Sequence, residues 1–125
     1  MTRVVHFEFS TDKPDESIAF FENVFGWRIE KWDSKEIDYW LIMTGDPDKP
    51  GIDGGFGLTE KGFPGIVNTI DVDDVDAAME KVLAHGGEMV MPKMAIPGVG
   101  YMAYFKDING NVWSVMKEDR SAGMA

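Results

Sequence analysis

Cysteine is missing from all 125 residues. Disulfide staples, thiolate metal sites and a cysteine nucleophile are therefore excluded, and a reducing, cytoplasmic setting is expected. No apolar run reaches the ~18 residues of a membrane span, and no basic N-terminal segment leads into a hydrophobic stretch of signal type. The chain reads as soluble, without a membrane partner. Positive charge is scarce as well: 12 Lys and Arg stand against 22 Asp and Glu, a formal net charge of −10. Such a field repels phosphate backbones, and no basic cluster offsets it locally, so nucleic acid is not an expected partner. Walker loop, dinucleotide fingerprint and nucleophile elbow are all absent.

What is present suits one modest globular unit, since 44% of the residues are hydrophobic and this length closes one core more readily than two. Val4 to Ser10 alternates, with Val5, Phe7 and Phe9 on one face and Val4, His6, Glu8 and Ser10 on the other. A turn follows, then a helix over Ser17 to Phe25 closed by Gly26. Strands are predicted over Trp27 to Trp32, Tyr39 to Thr44 and Ile52 to Leu58, the last weakened by Gly54, Gly55 and Gly57. Glu60 to Gly65 breaks the pattern. Beyond it the periodicity predicts a strand over Ile66 to Val72, a helix over Val75 to His85, and strands over Met89 to Lys93, Tyr101 to Lys106 and Val112 to Lys117. Met94 to Gly100 reads as an apolar loop, and residues 119–125 as a flexible tail.

The two halves repeat. Val5 to Gly26 and Ile66 to Gly87 correspond at a constant offset of 61 residues. The fold class is thus α+β, built from two βαβββ modules, 4–60 and 64–118, in a single domain over 1–118. Asp107-Ile108-Asn109-Gly110 supplies the turn between the last two strands. Asp71, Asp73, Asp74 and Asp76 straddle a strand end and a helix start, which suits capping better than calcium.

A duplicated unit of this length resembles the vicinal oxygen chelate superfamily of glyoxalases, bleomycin-resistance proteins and extradiol dioxygenases. The resemblance is carried by Val4-Val5-His6-Phe7, by Ala19 to Trp27 and by Phe105-x-Asp107-x-x-Gly110-Asn111. It implies a cup-shaped, mostly antiparallel mixed sheet with helices on the convex side, a homodimer, and a small molecule held in the cup. In metal-bearing members the ligands sit at four strand stations, which here are His6, Gly55, Val67 and Ser114. Only His6 is a good ligand, so the expected cofactor is none, and no residue is assigned to a metal.

Strand parity names the residues expected around a ligand. His6 and Glu8, about 7 Å apart along one strand face, are candidates for proton transfer, because imidazole titrates near neutrality. Trp40, Gly55, Val67, Thr69, Met102, Tyr104, Ser114 and Met116 are candidates for ligand contact in an apolar, aromatic-lined pocket. Alternative readings are a metal-dependent lyase or dioxygenase drawing a missing ligand from Glu8 or Asp71, and sequestration of a cationic antibiotic.

Overall fold

Alternation and punctuation place the elements nearly where the sequence puts them: β1 (Val4–Thr11), α1 (Pro14–Phe25), β2 (Arg28–Lys31), β3 (Tyr39–Met43), β4 (Asp53–Leu58), β5 (Val67–Asp71), α2 (Val75–Ala84), β6 (Glu88–Ile96), β7 (Gly100–Lys106) and β8 (Val112–Glu118). The computed structural model describes residues 2–35, 37–59 and 65–123. The break expected over Glu60 to Gly65 lies, up to residue 64, outside the described residues. By its contacts the chain divides into a unit of His6–Val67 and a unit of Asn68 onward joined by the residues up to Val5. The α+β class and the doubled βαβββ order follow from the element sequence.

In the first unit the strands run β2-β3-β4-β1. β3 is antiparallel to both neighbours and β1 is parallel to β4. One sheet face is aromatic. Phe9 stacks on Phe56 at 5.1 Å and Phe56 on Trp40 at 5.0 Å, while Phe9 also meets Phe21 of α1 at 5.7 Å. Ile42 and Phe56 are fully buried there. α1 begins earlier than expected because Pro14 serves as its first residue, where a missing N–H costs nothing. Gly26 ends it in the left-handed conformation and donates its N–H to Glu22 O at 3.0 Å.

In the second unit the order is β5-β8-β7-β6, with β5 parallel to β8 and the rest antiparallel. Val72, Val75, Met79, Ala103, Phe105 and Val115 form its core between α2 and the sheet, flanked by Ile70 and Trp113. The Asp74 side chain caps α2 by accepting the Ala77 N–H at 3.0 Å, as the capping reading of the aspartates requires.

Two loop expectations are corrected here. β6 continues through Met94 to Ile96, so only Pro97 to Val99 turns. Pro92 cannot donate to the ladder, and the pairing shifts register between Met91 and Met94 but then resumes. Nor is the tail loose as far as Gly123: Asp119 N–H donates to Val99 O at 2.9 Å, Gly98 N–H to Ala122 O at 3.0 Å, and Ala122 is fully buried.

Candidate functional site

β1 and β4 present polar and glycine positions side by side in the first unit, with His6 opposite Asp53 and Glu8 opposite Gly55. β3 lies on the other side of β4 and sets Tyr39 opposite Gly57 and Leu41 opposite Gly55. His6, Glu8, Asp53, Gly55, Tyr39 and Leu41 therefore share one face. Tyr39 joins the two candidate proton carriers. Its hydroxyl lies 3.0 Å from His6 Nε2 and donates to Glu8 Oε2 at 3.3 Å. All three side chains are half-buried. Burial holds the imidazole pKa below its usual value, an effect that the nearby Asp53 carboxylate partly offsets. His6 is thus biased toward the neutral form, able to accept a proton.

Gly55 has a physical reason to be glycine. A Cβ there would collide with the ring and hydroxyl of Tyr39, so the tyrosine occupies the space a ligating side chain at this station would need. Gly54 is confined in the same way on the opposite face, where a Cβ would meet the Phe7 backbone and ring at 2.5 to 2.6 Å.

The structure corrects the placement of Trp40. It stacks on Phe56 at 5.0 Å with the rings 7° apart, on the aromatic face, with Lys31 Nζ 5.5 Å from its ring centre. Ile42, two residues further along β3, is buried on that same side. Alternation along β3 gives the His6 face to Tyr39 and Leu41 instead. Tyr39 is not among the residues expected from the sequence; its signal is its parity relative to Gly55 and Gly57, which only the strand register reveals.

Parity holds in the second unit. Thr69 pairs with Ser114, Asp71 and Met102 with Met116, and Tyr104 with Ser114, so these side chains share a face. Thr69 and Ser114 are buried, and their hydroxyls share a hydrogen bond of 2.6 Å. Met102 and Tyr104 are each 8% exposed; Val67, the last residue of the first unit, is 2% exposed. At the open end of this face Val5, Asp71, Gly98, Val99, Met116 and Glu118 line a cleft of about 270 Å³.

The donor set does not fit a divalent metal. Gly55 offers no side chain and is roofed by Tyr39, Val67 offers a hydrocarbon, and the Ser114 hydroxyl is committed to Thr69. Among the described residues no three His, Asp or Glu side chains come together as a ligand group, through Glu8 or Asp71 or otherwise. Nor, among the described residues, is any helix long and apolar enough to cross a membrane.

Comparison with known proteins agrees with this architecture. "Putative glyoxylase CFP32" of Mycobacterium bovis and of Mycobacterium tuberculosis is 35% identical over 118 residues, covering 88% of this chain and 42% of theirs. The chain therefore spans about two-fifths of the length of these curated relatives. Methylmalonyl-CoA epimerase from Mycobacterium tuberculosis superposes with a TM-score of 0.63 at 17% identity, covering 93% of this chain and 87% of that one. A glyoxalase/bleomycin resistance protein/dioxygenase superfamily member from Vibrio splendidus 12B01 gives 0.63 at 16% identity over 95% of this chain and all of that one. At such identities these two show likeness of fold. Residues 3–115 match the family profile itself, and the chain belongs to the Glyoxalase/Bleomycin resistance protein/Dioxygenase superfamily.

Proposed function

We propose that this chain binds a small organic molecule against the His6 face of its first unit and moves a proton there without a tightly bound metal. One observation carries the reading: the Tyr39 hydroxyl bridges His6 Nε2 at 3.0 Å and Glu8 Oε2 at 3.3 Å. While the phenol proton points to Glu8, Nε2 donates to Tyr39 Oη and Nδ1 is left as the basic nitrogen. When the imidazole takes a proton at Nδ1, the resulting cation is stabilised through the same chain by the Glu8 carboxylate. The arrangement suits removing and returning a proton next to a carbonyl.

In the second unit, the methionine and tyrosine surface of buried Met102 and Tyr104 and half-buried Met116 suits apolar recognition, since thioethers adapt to irregular shapes. Trp40, stacked into the aromatic layer, is given a packing role.

The test is solvent deuterium exchange, followed by NMR, into carbon acids next to a carbonyl. Two probes are the hemithioacetal of methylglyoxal with a thiol, and methylmalonyl-CoA, the compound named with the epimerase neighbour. Chelator-treated protein should exchange one such probe, His6→Ala should lose at least about 100-fold, and Tyr39→Phe about 10-fold. Exchange that survives His6→Ala, or that starts only on adding a divalent metal, overturns the reading.

A further inference from the structure

Cysteine is absent but methionine occurs nine times, so soft-donor chemistry in this chain falls to thioethers. Three of them line up across the second unit. Met94 of β6 pairs with Met102 of β7, Met102 with Met116 of β8, and Met116 with Asp71 of β5. Residues directly opposite one another on neighbouring strands share a face, so these side chains form one row across the sheet. The row is a product of the irregular β6. Carried on from the Met89 and Phe105 pair without a shift, the ladder would set Pro92 opposite Met102; the register shifts put Met94 there instead. Met89, paired with Phe105 of the core, belongs to the α2 face. Met102 is buried, and Met94 and Met116 on either side of it are half-buried.

We propose that Met94, Met102 and Met116 hold a soft monovalent cation, Cu(I), through their thioether sulfurs. Facing side chains stand about 5 Å apart at Cβ, and unbranched methionine has the rotatable bonds to bring its sulfur onto a shared ion. Neutral thioethers select Cu(I), whereas hard divalent ions need carboxylate, carbonyl or water oxygens. The approach to the row is acidic. Met116 lines the cleft of about 270 Å³ together with Asp71 and Glu118, and among the described residues no ion pair involves either carboxylate. Both draw a cation toward Met116 and offset the charge that three neutral sulfurs leave on it. All of these groups belong to the second unit, whereas His6, Glu8 and Tyr39 belong to the first. Ion binding and proton exchange are thus separable by mutation.

The test is NMR titration of the full chain, carbon-labelled at the methionine methyl groups, with silver nitrate and, under argon with ascorbate, with Cu(I). Both ions are diamagnetic, so the methyl signals stay visible. The methyl groups of Met94, Met102 and Met116 should shift together and saturate at one ion per chain, while that of Met89 stays in place. Met102→Leu keeps the volume and removes the sulfur, a swap that cores tolerate. It should raise the Ag(I) dissociation constant at least about 10-fold, since groups merely supporting a ligand are worth that much. Met89→Leu should leave the constant unchanged. Should Met102→Leu lose the dispersed spectrum of a folded chain, Met116→Leu, at a half-buried position, gives the same comparison. No shift of these three methyl groups, an affinity untouched by both substitutions, or Zn(II) shifting the same methyl groups at equal concentration overturns the proposal.

Discussion

Tyr39 lies across Gly55, with its ring and hydroxyl where a Cβ on the glycine would stand. The two residues explain each other. Only a bare backbone lets the phenol reach inward from β3 to His6 Nε2, and the phenol in turn closes the station to any ligating side chain.

Gly55→Ala should therefore destabilise the fold by about 1–3 kcal/mol, the usual cost of overpacking a closed site. Tyr39→Ala in the same chain should recover much of that loss, because it removes the atoms that the new methyl group meets. A double-mutant cycle from urea unfolding measures the coupling. Additive single effects would mean that the ring does not press on residue 55.

The lowered pKa of His6 sets a sign for stability against pH. The unfolded chain, with a histidine near 6.5, takes up the proton more readily than the folded one. The contribution from neutral His6 is complete above about pH 6.5 and drains as pH falls through the lower folded value. His6→Gln should flatten the denaturant midpoint between about pH 7 and 5. Asp53→Asn should depress the His6 titration further by removing the charge that opposes desolvation. Urea unfolding across that range checks the first and imidazole NMR titration the second, and a His6 pKa that rises in Asp53→Asn would contradict the assignment.

How far the fold was legible follows from the range of the interactions involved. Period-two and helical patterns are local, and so are Gly26 at a helix end and Asp74 at a helix start, which is why element order and capping could be read directly. The face of β3 could not. Trp40 and Tyr39 alternate equally well from the sequence, and only pairing with β4 decides which of them sits over the glycines. β6 outruns its local pattern for the opposite reason: Pro97 and Gly98 are local turn signals, yet pairing with β7 resumes at Met94 and carries the strand to Ile96. His6 and Glu8 were recognisable as a same-face pair, but the group joining them comes from 31 residues further along the chain.

The turn before β8 carries a second pH-sensitive feature. Asp107 accepts the backbone N–H groups of Asn109 and Asn111 at 2.9 and 3.0 Å, the Asn111 amide at 3.0 Å and Trp113 Nε1 at 3.1 Å. The Asn111 side-chain and backbone donors lead in pulling its pKa down to about 2. Stability from this turn is present above the ordinary value of 3.8 and is lost as pH falls toward about 2. Asp107→Ala should lower the melting temperature at neutral pH and flatten the acid limb of its pH profile. Thermal unfolding from about pH 6 to pH 2 tests this, and an unchanged acid limb would show that the carboxylate is not what holds the turn.

Ser114 tests the claim that the fourth station is committed to structure. Its hydroxyl and that of Thr69 are both buried and satisfy one another at 2.6 Å. Ser114→Ala should cost about 1–3 kcal/mol, since it strands the Thr69 hydroxyl without a partner. Thr69→Val should do the same to Ser114. The two together should cost less than the sum, because the pair leaves as a unit and an apolar contact replaces it. Chemical denaturation of the three variants gives the comparison. If Ser114→Ala is as stable as wild type, the serine is not held by Thr69 and is available to something else on that face.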